Sequence, residues 1–249
     1  MAGHSKFKNI MFRKGAQDKK RAKIFAKLGR EIQIASKFGG SDPDSNHRLR
    51  TAIDSARAAN MPKDNIDRAI KKILDKELKD LEEIRYEGFG PAGTSFIVET
   101  MTNNRNRTVS ELRKIFSRNG GSIADTGSVS YTFKRKGELI YKVEKNLENK
   151  ILDLAAEGEA DDVINEDGNM AIYCEPEKIN NIKNKISSLS IEPISVVLTW
   201  ISNSKININN QLDGKKIFNL INELEDNDDV QNISSNYDIS KEVFDTIDV

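Results

Sequence analysis

The residues best suited to chemistry in this sequence are cations crowded into its first 37 positions. Between Lys6 and Lys37 the chain carries eleven lysines and arginines against two acids. Such a density of like charge repels itself, so a nearby polyanion that neutralises it is favourable. The stretch therefore predicts contacts to nucleic-acid phosphates, made by Lys6, Lys8, Arg13, Lys14, Lys19, Lys20, Arg21, Lys23, Lys27 and Arg30.

A second candidate anion site lies in the segment 102–108, TNNRNRT, between a predicted strand and a predicted helix. Its asparagines suit a turn and a helix cap. Arg105 and Arg107 would stand at the positive end of the helix dipole, which is unfavourable for folding alone. With a phosphate bound, the backbone N–H groups and both guanidinium groups could converge on one anion. The alternative is a capped turn with solvated arginines.

Three amphipathic helices are predicted to position the first cluster. The first helix spans 16–38 with Ile24, Leu28, Ile32 and Ala35 on one face, and Gly39-Gly40 ends it. Two more helices are predicted over 46–59 and 63–76. Residues 1–15 show no sustained period, which predicts a mobile arm. We expect residues 1–80 to form a basic helical domain with this arm.

Strands alternate with helices after residue 80. The pattern 137–203 predicts strand, helix, two strands, helix and strand, which is one complete ferredoxin-like βαββαβ unit starting afresh at Gly137. Strands at 94–100 and 128–133 flank a helix at 108–118, and a strand, helix and strand follow after 204. Because neither fragment can bury its own sheet, we predict that 81–136 and 204–249 combine into a second βαββαβ sandwich. The predicted fold class is α+β, with residues 137–203 inserted as an acidic domain.

The formal net charge of zero conceals a strong asymmetry along the chain. Residues 1–80 carry 20 Lys and Arg against 10 acids, whereas residues 137–249 carry 10 against 23. A basic head with an acidic rear favours oriented binding, with the rear turned away from the anion. Two solvated faces of opposite sign are the alternative interpretation.

Several functional classes find little support in the sequence. A single cysteine, Cys174, excludes an internal disulfide and a cysteine-based metal cage, and favours a reducing compartment. No apolar run approaches the ~20 residues of a membrane span, and the favoured location is cytoplasmic. The acids at 161–162 and 226–229 lack the spacing and glycine bend of a calcium loop, which predicts a solvated acidic face. We expect no metal, cofactor, small-molecule substrate or catalytic activity.

The glycine-rich segment 88–93, GFGPAG, matches a dinucleotide-binding motif by letter alone. That motif requires glycines that follow a strand and open a helix. Here they precede a predicted strand, and Pro91 stiffens them. The segment predicts a tight loop rather than a nucleotide site.

The chain resembles the YebC/PmpR family in four short motifs. They are GHSKF at 3–7, NMPKDNI at 60–66 with RAIKK at 68–72, YEGFGP at 86–91, and NRNRT at 104–108. The similarity covers at least residues 1–137. Phe7 stands where the family has tryptophan, and Asn103 where it has aspartate. The resemblance implies a three-domain cytoplasmic protein, commonly a probable transcriptional regulator, with mitochondrial relatives that are translational activators of cytochrome c oxidase.

Three functional hypotheses follow. The first is a DNA-binding transcriptional regulator. The second is a translation factor or activator that binds ribosomal RNA and associates with the ribosome, which suits a basic arm without a recognition helix. The third is an interaction module whose basic helix docks an acidic protein; complexes of that kind would survive nuclease treatment.

Overall fold

The computed structural model describes residues 17–71, 81–166, 168–240 and 243–244, with 17–21 and 166 described by backbone alone. In chain order the helices are α1 (Gln17–Gly39), α2 (His47–Ala58), α3 (Lys63–Lys71), α4 (Arg105–Arg118), α5 (Glu148–Glu157), α6 (Ile179–Ser187) and α7 (Gln211–Asp226). The strands are β1 (Glu82–Phe89), β2 (Ser95–Thr102), β3 (Ser122–Ala124), β4 (Phe133–Lys142), β5 (Asp162–Glu166), β6 (Asn169–Cys174), β7 (Ser195–Ser202), β8 (Ile206–Ile208), β9 (Val230–Ser235) and β10 (Tyr237–Ile239).

The described residues fall into two compact units, and the mixture of helices and sheets makes the fold α+β, as predicted. Unit 1 combines the described parts of 80–134 and 200–249, and unit 2 those of 8–79 and 135–199. The division into three domains at 80, 136 and 203 stays a prediction.

The three predicted N-terminal helices form in unit 2. Their core contains Ile32, Leu49, Ile53 and Ile66, all buried. The buried side chain of Asn46 joins α1 to α2: its Oδ1 accepts a hydrogen bond from the Leu49 amide at 3.0 Å and its Nδ2 donates to carbonyl oxygens at the end of α1. This cap fixes the start of α2. The predicted continuation of α3 over 72–76 lies outside the described residues.

The second part of unit 2 is the predicted ferredoxin-like unit. Its elements run β4-α5-β5-β6-α6-β7, and its sheet has the strand order β5-β6-β4-β7. Strand β6 pairs antiparallel with both β4 and β5. Helices α5 and α6 cover a core that contains Leu139, Tyr141, Ile151, Ile172 and Ile182.

Within unit 2, α2 contacts this ferredoxin-like part through polar groups. The carboxylate of Asp54 pairs with Lys183 Nζ on α6 at 2.8 Å, and Asp54 is almost fully buried. The next side chain, Ser55, donates a hydrogen bond to the carbonyl oxygen of Val196 on β7. An ion pair and a hydrogen bond therefore join the helical residues to the α/β residues.

Unit 1 contains a four-stranded antiparallel sheet with the order β3-β1-β2-β9, and a short parallel pair of β8 and β10. Helices α4 and α7 pack against each other. Phe116 of α4 meets Phe96 of β2 edge-to-face at 5.8 Å between ring centroids. The chain order of this unit is strand, strand, helix, strand, then strand, helix, strand, strand, which differs from the predicted βαββαβ order.

One strand prediction in unit 1 is wrong, and one strand was not predicted. The segment 128–133 alternates like a strand, but Ser130–Thr132 is a 3₁₀ turn. The buried carboxylate of Glu87 accepts hydrogen bonds from the amides of Gly127, Val129 and Ser130, at 2.7–3.0 Å, and so takes the donors that a strand ladder would use. Strand β1, which the sequence pattern did not predict, pairs along all eight residues with β2.

The strand predicted to start afresh at Gly137 begins four residues earlier, because β4 runs from Phe133 to Lys142. Gly137 lies opposite Cys174 in the sheet. A Cβ at this position would collide with the side chain of Ile179 and approach Cys174 Sγ to 3.1 Å. The packing of α6 on the sheet therefore requires glycine at this position.

Candidate nucleic-acid interface

The first predicted cluster rests on α1, and the structure describes only part of it. Lys6, Lys8, Arg13 and Lys14 lie outside the described residues, and for Lys19, Lys20 and Arg21 only the helical backbone is described. The side chains of Lys23, Lys27 and Arg30 are each partly exposed and interact with neighbouring groups.

The helical backbone brings several of these positions to one side of α1. Positions 20, 23, 27 and 30 are separated by three or four residues, which places them on one face over about 15 Å of helix. The core positions Leu28, Ile32 and Ala35 lie on an adjacent face. The predicted apolar stripe is shorter than expected, because the Ile24 side chain is 41% exposed.

One of the two acids on α1 is neutralised from the next helix. Arg48 of α2 bonds Glu31 through both ends of the carboxylate, with Nε–Oε1 at 2.8 Å and Nη2–Oε2 at 3.1 Å. Both side chains are one-third exposed. This bidentate pair cancels the negative charge of Glu31, so the positive potential of the remaining α1 cations is less attenuated.

At the second predicted site, the expected cap at the start of α4 is confirmed. Asn104 Oδ1 accepts a hydrogen bond from the Arg107 amide at 3.0 Å, and the Asn104 amide donates to Thr102 Oγ1 at 2.9 Å. Arg105 is the first residue of α4, and its side chain is exposed. Its backbone carbonyl accepts a hydrogen bond from the Tyr86 hydroxyl at 3.5 Å.

Arg107 has a partner within the protein. Its Nη2 donates to both carboxylate oxygens of Asp229, at 2.8 and 3.0 Å, and Thr108 Oγ1 donates to the same carboxylate at 2.7 Å. Burial by itself would raise the pKa of Asp229, but the hydrogen bonds from Arg107 and Thr108 outweigh it and hold that pKa below its usual value. The same ion pair raises the pKa of Arg107.

The sequence pattern placed Arg105 and Arg107 in one anion site, but the structure gives the two side chains different surroundings. Arg105 is exposed, whereas the Arg107 guanidinium is bound to a carboxylate and 46% of its side chain remains exposed. The prediction of a solvated acidic face is wrong for Asp229, which is 6% exposed. No signal in the local sequence pairs position 107 with position 229, because the two residues are 122 positions apart. They meet only because β9, which follows Asp229, joins the sheet beside β2.

Metal sites, membrane spans and disulfides were all expected to be absent from the chain. Among the described residues no cluster of three or more His, Cys, Asp or Glu side chains has a geometry suited to a metal ion. None of the described helices combines the length and the apolar character that a membrane span requires. Cys174 is buried in the core of unit 2.

Comparisons with known proteins agree with the resemblance seen in the motifs. Residues 5–76 match the N-terminal domain of TACO1/YebC proteins, and residues 81–237 match the second and third domain of the same family. A probable transcriptional regulatory protein of Zymomonas mobilis is 46% identical over 247 residues, which cover 99% of both chains. The crystal structure of a conserved hypothetical protein from Aquifex aeolicus superposes with a TM-score of 0.83 at 40% identity, covering 92% of this chain and 95% of the other.

Proposed function

Since the chain belongs to the TACO1/YebC family, we propose that it regulates gene expression by binding nucleic acid through the basic face of α1. The proposal takes transcriptional regulation on DNA as the leading activity. It is supported by the name of the Zymomonas mobilis relative, a probable transcriptional regulatory protein. A cytoplasmic location and the absence of a catalytic step belong to the same proposal.

The observation that carries the proposal is the charge of α1. The helix carries seven lysines and arginines and two acids, and one of those acids, Glu31, is already paired with Arg48. Cations spaced along one face of a helix suit the regular negative charge of a sugar–phosphate backbone. Such contacts are insensitive to base sequence and weaken steeply with added salt.

A second candidate function is action on translation through ribosomal RNA. It is favoured by the form of the helical domain, in which α1 is a long helix packed along α2 and α3 rather than a short helix presented for a major groove. Contacts of this kind suit RNA, which proteins recognise largely by shape and backbone.

Two measurements separate these functions. Sedimentation of lysate through a sucrose gradient, with and without nuclease, tests for ribosome association; comigration that high salt abolishes supports translation. Protection of a defined promoter from cleavage at physiological salt supports transcription. Complexes that survive nuclease intact would instead support docking to an acidic protein and contradict both.

A further inference from the structure

The helix layer of unit 1 carries seven exposed cations on two packed helices, and two of them, Arg107 and Arg118, are paired with carboxylates. The other five are Arg105, Arg113 and Lys114 on α4, and Lys215 and Lys216 on α7. Over the described part of the chain, none of these five side chains forms an ion pair with a carboxylate. Of these five, only Arg105 belonged to a site predicted from the sequence.

Two acids of the same layer accept hydrogen bonds from neighbouring side chains. Glu223 accepts hydrogen bonds from Arg118 and from Asn119, both at 3.2 Å, and Glu111 accepts one from Asn227 at 2.8 Å. Among the described residues, Arg107 and Arg118 thus pair with carboxylates of the protein, and the other five cations do not. Asp226 lies at the opposite end of α7 from the two lysines, about 15 Å away along the helix. Asp213 lies at the lysine end, where its carboxylate accepts a hydrogen bond from Asn210 at 2.6 Å. With Lys215 and Lys216 it leaves a net charge of +1 at that end of α7.

Lys216 of α7 lies near the C-terminal end of α4. A Cβ at Gly120, just beyond the end of α4, would lie 3.8 Å from Cδ of Lys216. Asn227, just after the C-terminal end of α7, contacts Glu111 in the middle of α4, so α4 and α7 run antiparallel. The cations are consequently spread along two rows, about 10 Å apart at the usual spacing of packed helices.

The shape of this surface favours RNA over DNA. Both helices turn their apolar faces inward, where Leu112 and Phe116 of α4 and Ile217, Leu220 and Leu224 of α7 are buried. Because the helices lie side by side, neither projects far enough to enter a DNA major groove about 12 Å wide. The minor groove of an RNA duplex is wide and shallow and is bordered by phosphates, which a broad surface can contact.

We propose that the outer surface of α4 and α7 is a second nucleic-acid contact, separate from α1, that binds the backbone of double-stranded RNA. The inference rests on the proposed function and extends it, because it assigns a binding surface to unit 1. In this proposal Lys114, Lys215 and Lys216 contact phosphates.

The test uses the full chain with Lys114→Glu, Lys215→Glu and Lys216→Glu combined. The probes are a fluorescein-labelled RNA hairpin of about 20 base pairs and a DNA hairpin of the same sequence, titrated at several salt concentrations. We expect RNA affinity to fall at least about tenfold, and the slope of log K against log salt to flatten by about two to three, as for three phosphates that are no longer neutralised. A control with Lys142→Glu, Lys145→Glu and Lys150→Glu makes the same charge change at exposed lysines of unit 2 and should bind like the wild type.

The outcomes distinguish this inference from the function on which it rests. Unchanged RNA binding by the α4/α7 variant, while charge reversal on α1 abolishes it, would overturn the second surface and leave the proposed function standing. An equal loss for the DNA hairpin would overturn the assignment to RNA. Wild-type protein that binds neither hairpin would contradict the proposed function itself. If the glutamate variant unfolds by circular dichroism, the corresponding glutamine variant provides the same test with a smaller effect.

Discussion

Arg107 at the start of α4 forms an ion pair with Asp229, which lies immediately before β9. Arg107 Nη2 is 2.8 and 3.0 Å from the two carboxylate oxygens of Asp229. The pair joins residues 122 positions apart. It fixes the helix that follows β2 to the strand that completes the same sheet. The pair therefore contributes to the folding of unit 1.

Replacing Asp229 with Asn should destabilise the protein by about 1–3 kcal/mol at neutral pH, the range for a hydrogen-bonded, partly buried charge that loses its partner. The pKa of Asp229 is lowered in the folded state. Its contribution is thus present above the ordinary aspartate pKa and disappears as the pH falls through the lowered value. Urea unfolding at pH 7 and at pH 3 should show a large difference between wild type and variant at pH 7 and a smaller one at pH 3.

Arg105→Ala is the matched control for this pair, because it lies in the same helical turn and its side chain is exposed. Its unfolding free energy should stay within about 0.5 kcal/mol of the wild type. A difference between wild type and Asp229→Asn that is equal at both pH values would show that the carboxylate charge contributes nothing.

Glu87 should hold the turn that follows β3. Burial alone would raise the pKa of this carboxyl, but hydrogen bonds from the Val129, Gly127 and Ser130 amides lower it overall. Glu87→Ala leaves these donors without an acceptor, at a cost of about 1–3 kcal/mol for each buried one. Hydrogen exchange read by mass spectrometry should show faster exchange at 127–130 in the variant. Wild-type exchange rates there would contradict the role of Glu87.

Cys174 should be unreactive in the folded protein. Its side chain is fully buried, and burial raises the pKa of the thiol to about 12, so almost none is present as the reactive thiolate at neutral pH. Labelling with a thiol reagent should therefore proceed only as fast as the protein opens, and should become rapid in denaturant. Fast labelling under native conditions would contradict the packing of β6 in unit 2.

The pair of Glu31 and Arg48 should tune the charge of α1. Arg48→Ala leaves the Glu31 carboxylate beside the cations of the same helix, and we expect weaker binding to an RNA or DNA hairpin. Glu31→Gln removes that charge and should bind at least as tightly as the wild type. Titrations of both variants by fluorescence anisotropy provide the check, and the opposite order of affinities would contradict this view of the helix.

The sequence predicted most helices and the ferredoxin-like unit because their patterns are local. Helix α1 ends at Gly39, one residue beyond the prediction, and Gly40 adopts the positive φ of +86° that favours glycine after a helix. The hairpin at 162–174 was also predicted correctly, since alternating strands flank Gly168, which has a φ of +79°.

The errors arose where distant residues decide the local structure. The pattern at 128–133 is that of a strand, but Glu87 captures its amides. Strand β1 contains three glutamates, which have a weak preference for strands, so the local pattern does not predict a strand there. The segment is a strand because it pairs with β2 on one side and with β3 on the other. The partner of Arg107 depends on β9 joining β2, which a single sequence does not reveal.

The central claim, that the cations of α1 bind a nucleic-acid backbone, is tested most directly by combining Lys19→Glu, Lys20→Glu and Lys23→Glu. Equilibrium titration of labelled RNA and DNA hairpins over a range of salt should show weaker binding for all sequences. The salt slope should flatten by about two to three, in proportion to the number of phosphates that the variant no longer neutralises. Circular dichroism should show an unchanged fold. Affinity and salt slope equal to those of the wild type would contradict the claim.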